Sequence, residues 1–315
     1  MKRTLAVNPI QILRIDRLDM GRWDDIVTAP RSDETDKGTG MNMRIANLKD
    51  LAQILDWAAD EGWNPGLGDA AGFFAADPDG FFVAEQGGAL VAAISVVAHS
   101  AEFAFLGLYL CHPEFRGQGI GYSLWKHALD HAGTRTVGLD GVADQQANYA
   151  KSGFVKTGSS VRYEGVLPPV ASRNVRLADD ADAGVISTLD QQANGVTRPR
   201  FLNAWIAQTD TRKTLVLCSG SEVTGFATIR RCRQGVKVGP VIAPDTAQAL
   251  ELTKGALQAL PSDHVIIDVP SENTALTNTL IGAGFESSFA TARMWRGTPP
   301  VASGTLAAIA TMELG

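Results

Sequence analysis

The chain repeats itself, and the repeat limits what it can fold into more than any other feature. The segment MRIANLKD from Met43 to Asp50 aligns with VRLADDAD from Val175 to Asp182, and each opens an amphipathic helical pattern. The segment FFVAEQGGALV from Phe81 to Val91 aligns with TLVLCSGSEVT from Thr214 to Thr224, in both cases two strands joined through a turn. Cys111-His112-Pro113-Glu114 answers Ile242-Ala243-Pro244-Asp245, and Lys151-Ser152-Gly153-Phe154 answers Gly282-Ala283-Gly284-Phe285, both at a separation of 131 positions. A chain of 315 residues has room for two domains of ordinary size. The pattern therefore predicts a tandem of one fold.

Within each copy the order reads helix, antiparallel strands, central strand, helix, another strand, a helix ending in Gly-Phe and a last strand. The runs Arg135 to Leu139 and Val265 to Val269 read as strands buried on both faces. A mixed α/β sheet flanked by helices follows. The join falls at LPPVAS, Leu167 to Ser172, where two prolines stop strand and helix alike. The chain then divides into residues 1–42, 43–168, 169–298 and 299–315. The first part is polar, charge-mixed and unpatterned, the composition of a flexible extension dispensable for folding and activity, with a docking strand through Ile10 to Ile15 as the other reading. The last part carries VASGTLAAIATMELG, apolar enough to dock on the body of the protein.

With 45% hydrophobic and 20% charged residues the balance is that of a globular protein, not of a disordered one. Cys111, Cys218 and Cys232 are odd in number and unpaired by spacing, which suggests a reducing setting and no structural metal. There is no apolar run of about 18 residues and no signal-like start, so a cytoplasmic protein without a membrane span is the expectation. Charge is uneven: Arg44 to Val170 holds eight Lys/Arg against fourteen Asp/Glu, Ala171 to Gly315 thirteen against thirteen. An acidic first copy draws cations and repels nucleic acid, although acidity also serves solubility alone.

The chemistry concentrates between Phe103 and Asp130, a strand rich in aromatic and aliphatic residues, then Arg116-Gly117-Gln118-Gly119-Ile120-Gly121, then a helical pattern. Consecutive backbone N–H groups at a helix start, with no Cβ at two glycines, form a place for phosphate. The loop lacks the Lys-Ser/Thr of a P-loop and the spacing of a dinucleotide fingerprint. It fits R/Q-x-x-G-x-G/A, and with the preceding strand and His112-Pro113 it resembles the GNAT superfamily of acyl-CoA-dependent N-acetyltransferases.

That resemblance covers Met43 to Gly297 and implies two tandem GNAT-type folds packed as an intramolecular pseudo-dimer, monomeric in solution. It implies acetyl-CoA as cosubstrate, its pyrophosphate on Arg116 to Gly121 and its pantetheine arm along Leu106 to Leu110, with main-chain groups of Leu108 and Leu110 engaged. The second copy reads TAQALELTKGAL after Pro244-Asp245, without arginine or glycine pair, and resembles a degenerate companion domain that binds no coenzyme A.

Acyl transfer to an amine needs a deprotonated nitrogen, a polarised carbonyl and a proton for the departing thiolate. By the resemblance, Tyr149 in NYAKSGF supplies the proton, although a helix tyrosine can also simply pack on a sheet. A main-chain N–H near Leu110 polarises the carbonyl. For the base the sequence offers Glu61, Glu102 and Asp69, with His99 nearby. Trp63, Asn64 and Asp69 in DEGWNPGLGD are candidates to clasp the acceptor ammonium, or else belong to a turn anchored by a buried ring. His112 reads as structural, and His127 with His131 lacks a third ligand for a metal. Arg230, Arg231 and Arg233 read as a solvated hairpin, or as selectors of an anionic acceptor. Three functions stay open: acetylation of a small amine, which is preferred; acetylation of a protein amine; and a non-catalytic acyl-CoA sensor.

Overall fold

The computed structural model describes residues 40–315, so the flexible-extension reading lies outside the described residues except at its end, where Met41 and Asn42 already belong to a strand. The first copy runs β1 (Met41–Ile45), α1 (Leu48–Asp60), α2 (Asp69–Ala76), β2 (Phe81–Gln86), β3 (Ala89–Ala98), β4 (Phe103–Cys111), α3 (Ile120–Leu129), β5 (Thr136–Gly141), α4 (Gln146–Lys151) and β6 (Val155–Gly165). The second repeats it as β7 (Val175–Leu177), α5 (Ala183–Asn194), α6 (Pro199–Trp205), β8 (Arg212–Ser219), β9 (Glu222–Arg231), β10 (Val236–Ile242), α7 (Thr246–Ala259), β11 (Val265–Pro270), α8 (Thr274–Gly282) and β12 (Glu286–Arg296), followed by β13 (Leu306–Ala308). Both copies open on the same device. Asn47 accepts from the N–H of Lys49 and Asp50 while Asp50 reaches back to Asn47, and Asp179 and Asp182 do the same. The preceding strand adds Arg44 to Asp50 and Arg176 to Asp182, each at 2.6 Å.

The mixed α/β sheet is present, but the two copies do not keep their own strands. Sheet order is β1-β2-β3-β4-β5-β12-β6-β11-β10-β9-β8-β7, with β13 beside β10. The last strand of each copy thus completes the sheet of the other: β12 pairs with β5, and β6 pairs with β11. β6 and β12 then pair with each other along the seam. Residue 168 ends the first copy in sequence but is no border in space.

Two equivalent ion pairs pin the exchange. Arg162 of β6 stands opposite Asp268 of β11 and grips it with two bonds, at 2.7 and 3.0 Å. Arg293 of β12 stands opposite Asp140 of β5 and grips it likewise, at 2.9 and 2.8 Å. Bidentate pairing fixes register as well as charge, and a one-residue slip would bury all four charges unpaired.

A second inter-copy contact packs α2 on α6, where Phe73, Trp205 and Phe201 stack in one apolar cluster with Leu108, Leu110, Ala310 and Leu314. The tail beyond residue 299 belongs to the body. β13 pairs with the end of β10, and residues 309–315 continue to β4. The chain lies on Gly239 at Ile309 and on Gly107 at Glu313, so closely that a Cβ at either glycine would overlap a carbonyl. His99 Nε2 donates to the Leu314 carbonyl at 2.7 Å. Among the described residues no helix is long and apolar enough to cross a membrane.

Replacing Asp268 by Ala leaves the Arg162 guanidinium, 3% exposed, without its carboxylate. The expected cost is about 3–5 kcal/mol in denaturant unfolding, the usual penalty for an orphaned buried charge. Acid acts on the tail clasp. Burial, with the nearby Arg198 charge, pushes His99 down to about 4. The unfolded chain binds the proton at about 6.5 and the folded one does not, so stability present above that value is lost as pH falls from about 6.5 towards 4. A His99→Asn variant should flatten that part of a stability-versus-pH curve.

Candidate active site

β4 and β5 run parallel only from Phe103–Thr136 to Leu106–Leu139. Past that point β4 bulges. Ser95 of β3 faces Gly107 and Ala93 faces Leu110, so one residue of β3 spans two of β4. Leu108 takes up the extra length with φ +46, a left-handed conformation that a non-glycine residue holds only when its surroundings enforce it. Here the enforcement is burial among α1, α2 and the tail. The bulge turns β4 away from β5 and opens a wedge.

The glycine loop closes the end of that wedge. Gly117 and Gly119 have φ of +84 and +74, and a Cβ built at either would meet nothing within 4 Å. The open space in front of these residues is what side chains would fill. Helix α3 starts without a side-chain cap, so the N–H groups of its first turn face outward to an anion. Gly121 is required for another reason: a Cβ there would stand 2.8 Å from the Tyr109 hydroxyl. Arg116 braces the loop, donating through Nε to the Cys111 carbonyl at 3.0 Å and through Nη2 to Glu61 at 2.6 Å. Gln118 donates to the Glu114 carbonyl. A pyrophosphate fits this cradle.

The second copy keeps the bulge and loses the opening. Ile229 faces Val238 and Ala227 faces Val241, the same kind of irregularity, but β13 lies along the end of β10 and fills the wedge towards β11. The Asp245 side chain caps α7 by accepting from Gln248 N–H at 2.9 Å, placing a negative charge where the first copy leaves free N–H groups.

At the wedge mouth of the first copy lies a cavity that both copies build. β4 supplies Leu106 to Tyr109, β5 Leu139 and Asp140, and α4 supplies Tyr149. The far wall comes from exchanged and tail segments: Arg162 of β6, Phe289 and Thr291 of β12, and Met312 with Glu313. Trp63 completes it. Two buried polar atoms there, Trp63 Nε1 and Thr291 Oγ1, have no hydrogen-bond partner in the protein, an unusual state that a ligand would relieve.

The residues nominated from sequence fall out as follows. Tyr149 lines the cavity, 6% exposed and stacked on Trp125 at 5.5 Å. Burial pushes its phenol well above the ordinary value, which keeps it protonated. Trp63 also lines the cavity, held by Arg162 and Lys237, which donate to its carbonyl at 3.0 and 2.9 Å. Leu108 and Leu110 sit at the bulge. The other nominees are employed elsewhere.

Asp69 is 1% exposed and binds Arg212 at 2.8 Å and Arg230 at 3.2 Å, with Gly66 N–H on the same carboxylate. It clasps the two copies and no substrate ammonium. Asn64 does likewise, exchanging hydrogen bonds with the backbone of Gln234. Glu61 is occupied by Arg116. Glu102 sits in the Ser100 turn at the far end of β4, exposed and remote from the cavity. Arg230 is no part of a solvated hairpin: it is buried, stacked on Trp205 with Arg212, at 4.6 and 4.4 Å. Arg233 pairs with Asp56 at the surface. Among the described residues no group of three potential ligands could hold a metal.

Arg162, Phe289, Thr291, Met312 and Glu313 went unnominated because the exchange and the tail bring them in. One signal was present: Arg162 and Arg293 recur 131 positions apart, each facing an aspartate in a strand of the other copy.

Residues 48–154 match the model of the acetyltransferase (GNAT) family, and residues 186–306 match that of an acetyltransferase (GNAT) domain. A curated relative, holothin acyltransferase of Pseudoalteromonas sp. (strain SANK 73390), is 35% identical over 277 residues, 86% of this chain and 93% of its own. The chain belongs to the GNAT family. It is an acyltransferase of the tandem GNAT kind. A crystal structure of a putative acetyltransferase from Pyrococcus horikoshii superimposes with a TM-score of 0.74 at 21% identity, covering 90% of this chain and 99% of that one. A tandem GNAT protein from the clavulanic acid biosynthesis pathway gives 0.57 at 17% identity, covering 81% and 97%. These two likenesses speak for the fold.

GNAT membership implies an acyl-CoA donor, and the uncapped α3 with its open glycine cradle suits the donor's pyrophosphate. Gly119→Glu would put a side chain and a negative charge into that space. Coenzyme A affinity should fall by more than about 100-fold in calorimetric titration, since the charge repulsion replaces several charge-assisted bonds. Wild-type stoichiometry should be one coenzyme A per chain, with β13 closing the second wedge.

Proposed function

We propose that this protein transfers the acetyl group of acetyl-CoA to the amine of a small, largely apolar molecule. The observation that carries the proposal is the cavity at the wedge mouth. It is narrow and partly open, and Trp63, Tyr109, Tyr149, Phe289 and Met312 give it a mostly aromatic and apolar lining around the polar Asp140, Arg162, Thr291 and Glu313. A narrow, mostly apolar site with a few placed polar groups suits a compact ligand. A protein side chain needs an open groove, and here β12 and the tail stand in its place. The relative covering most of the chain is named for one acceptor, holothin, which agrees with dedication to a single small compound.

The donor supplies an electrophilic thioester carbonyl and a thiolate leaving group. The loop from Arg116 to Gly121 holds the pyrophosphate, with Arg116 kept in place by Glu61. The edge of β4 from Leu108 to Leu110 receives the amide-rich arm in the wedge, and a main-chain N–H near Leu110 polarises the carbonyl. Tyr149, kept protonated by burial, gives its proton to the departing sulfur and regains one from solvent after release. Trp63 walls the acceptor and offers its unpaired indole N–H to a hydrogen-bond acceptor on it. The two copies satisfy each other's sheet edges, so a single chain suffices as the working unit.

Thiol release from acetyl-CoA across a panel of amines tests the reading, and turnover should favour compact apolar amines over polycations. Tyr149→Phe should lower turnover by about 10²-fold, the lower end of general-acid contributions, with acetyl-CoA affinity unchanged because the ring remains. Equal turnover in the variant would remove the acid role.

A further inference from the structure

We infer that Glu313, on the segment that leaves the second copy and ends against β4, is the general base that deprotonates the acceptor amine. The inference rests on the amine reading above and adds the residue the sequence could not supply. The cavity holds two carboxylates, Asp140 and Glu313. Asp140 is gripped by both arms of Arg293 and its oxygens are committed. Asp268, next to it in the seam, is gripped in the same way by Arg162.

Glu313 differs. It is 5% exposed, yet among the described residues it forms no ion pair, and the side-chain donor it has is the Thr311 hydroxyl. Arg162, Lys237 and Arg230 offset its burial through their charge without pairing with it, so the carboxylate keeps acceptor capacity on the cavity side. An ammonium is the cation that would use it. The unpartnered Trp63 Nε1 and Thr291 Oγ1 border the same cavity and point independently to a ligand there.

The residue is also held firmly enough to act. Its carbonyl rests on Gly107, within the bulge that aims β4 at the donor. The preceding Met312 Sδ meets Arg162 at 4.0 Å, and the following Leu314 carbonyl takes the His99 bond. The charged and titratable groups around it are Arg162 on β6, Lys237 on β10, Arg230 on β9, Asp268 on β11, Asp140 on β5 and Tyr149 on α4. The three cations sense its charge at longer range without forming a contact.

The proton balance closes. The acceptor enters as an ammonium and gives one proton to the Glu313 carboxylate. The nitrogen lone pair forms the C–N bond as the C–S bond breaks. The second proton lost by nitrogen passes to solvent, solvent restores to Tyr149 the proton it gives the sulfur, and Glu313 returns its own proton to solvent with product release. No oxidant, metal or further reactant is needed.

The full chain tests this with Glu313→Gln and Glu313→Asp, assayed on an amine the wild type accepts. Glu313→Gln should lower kcat by 10²-fold or more at neutral pH, within the range for general-base catalysis, with acetyl-CoA affinity unchanged. The deficit should shrink as pH rises towards the amine's own pKa, because the substrate then arrives deprotonated. Glu313→Asp should keep the wild-type pH dependence and part of the rate. A Glu313→Gln enzyme with wild-type rate and pH profile, or one equally impaired at every pH, overturns the assignment while leaving amine acetylation standing. A wild type that releases no thiol with any amine overturns both.

Discussion

The exchange of β6 and β12 is the constraint on which the rest of the structure depends. Each copy alone would end its sheet at β5 or β11, with the exposed edge of a strand meant for the interior. Trading last strands closes both edges at once, and the two Arg–Asp grips allow one register only. Because the strands are traded, the wall facing β4 is made of residues from the second copy and from the first copy's own departing strand. The cavity exists only in the joined molecule.

Duplication leaves two wedges, and the tail explains why they differ. One segment crosses Gly239 within the bulge of β10 and Gly107 at the start of the bulge of β4, but it crosses them in different ways. At the second copy it enters as β13 and takes the place along β10 where a donor arm would add. At the first copy it stops short of that edge and walls the cavity beyond it. Asp245 completes the difference by capping α7 with the charge an anion would have to displace. The second wedge is thus closed by one strand and one carboxylate, with the fold around them intact.

Much of this was legible in the sequence, and what was not shares one physical cause. The repeat, the Gly-Phe helix ends and the glycine loop are local patterns, readable because periodicity and backbone conformation are set within a few residues. Tyr149 was placed by its spacing to Phe154. Partner choice between strands is not local: nothing in VKTGSSVRYEG says that Arg162 will meet Asp268 in preference to a residue of β5. The misread residues follow from that. Asp69, Asn64 and Arg230 carry charges and amides in a loop and a hairpin, the composition of a solvated or ligand-facing surface, and became inter-copy clasps once the copies were packed. Glu102 was attractive for its place at the start of β4, but the cavity and the open glycine loop lie towards the strand's other end, after the bulge. The tail was expected to dock from its apolar content, while its lone acid, Glu313, carried no sign of where it would land.

The scaffold is nearly symmetric, yet its electrostatics are not, and that asymmetry sits where the cavity does. Burial acts on Asp268 and Asp140 alike, pressing both towards the neutral form. For Asp268 the Arg162 grip prevails, helped by the charges of Lys237 and Arg230, and the carboxyl is held at about 2. For Asp140 burial outweighs Arg293, and the neighbouring Asp268 and Glu313 push in the same direction, so its carboxyl is raised. Lys237 and Arg230 therefore gather about the Arg162–Asp268 grip, and Arg162 and Lys237 together fasten Trp63, a wall of the cavity, through its carbonyl. These cations alone would repel an ammonium, and Glu313 sets a carboxylate beside Arg162 in the lining of the same cavity.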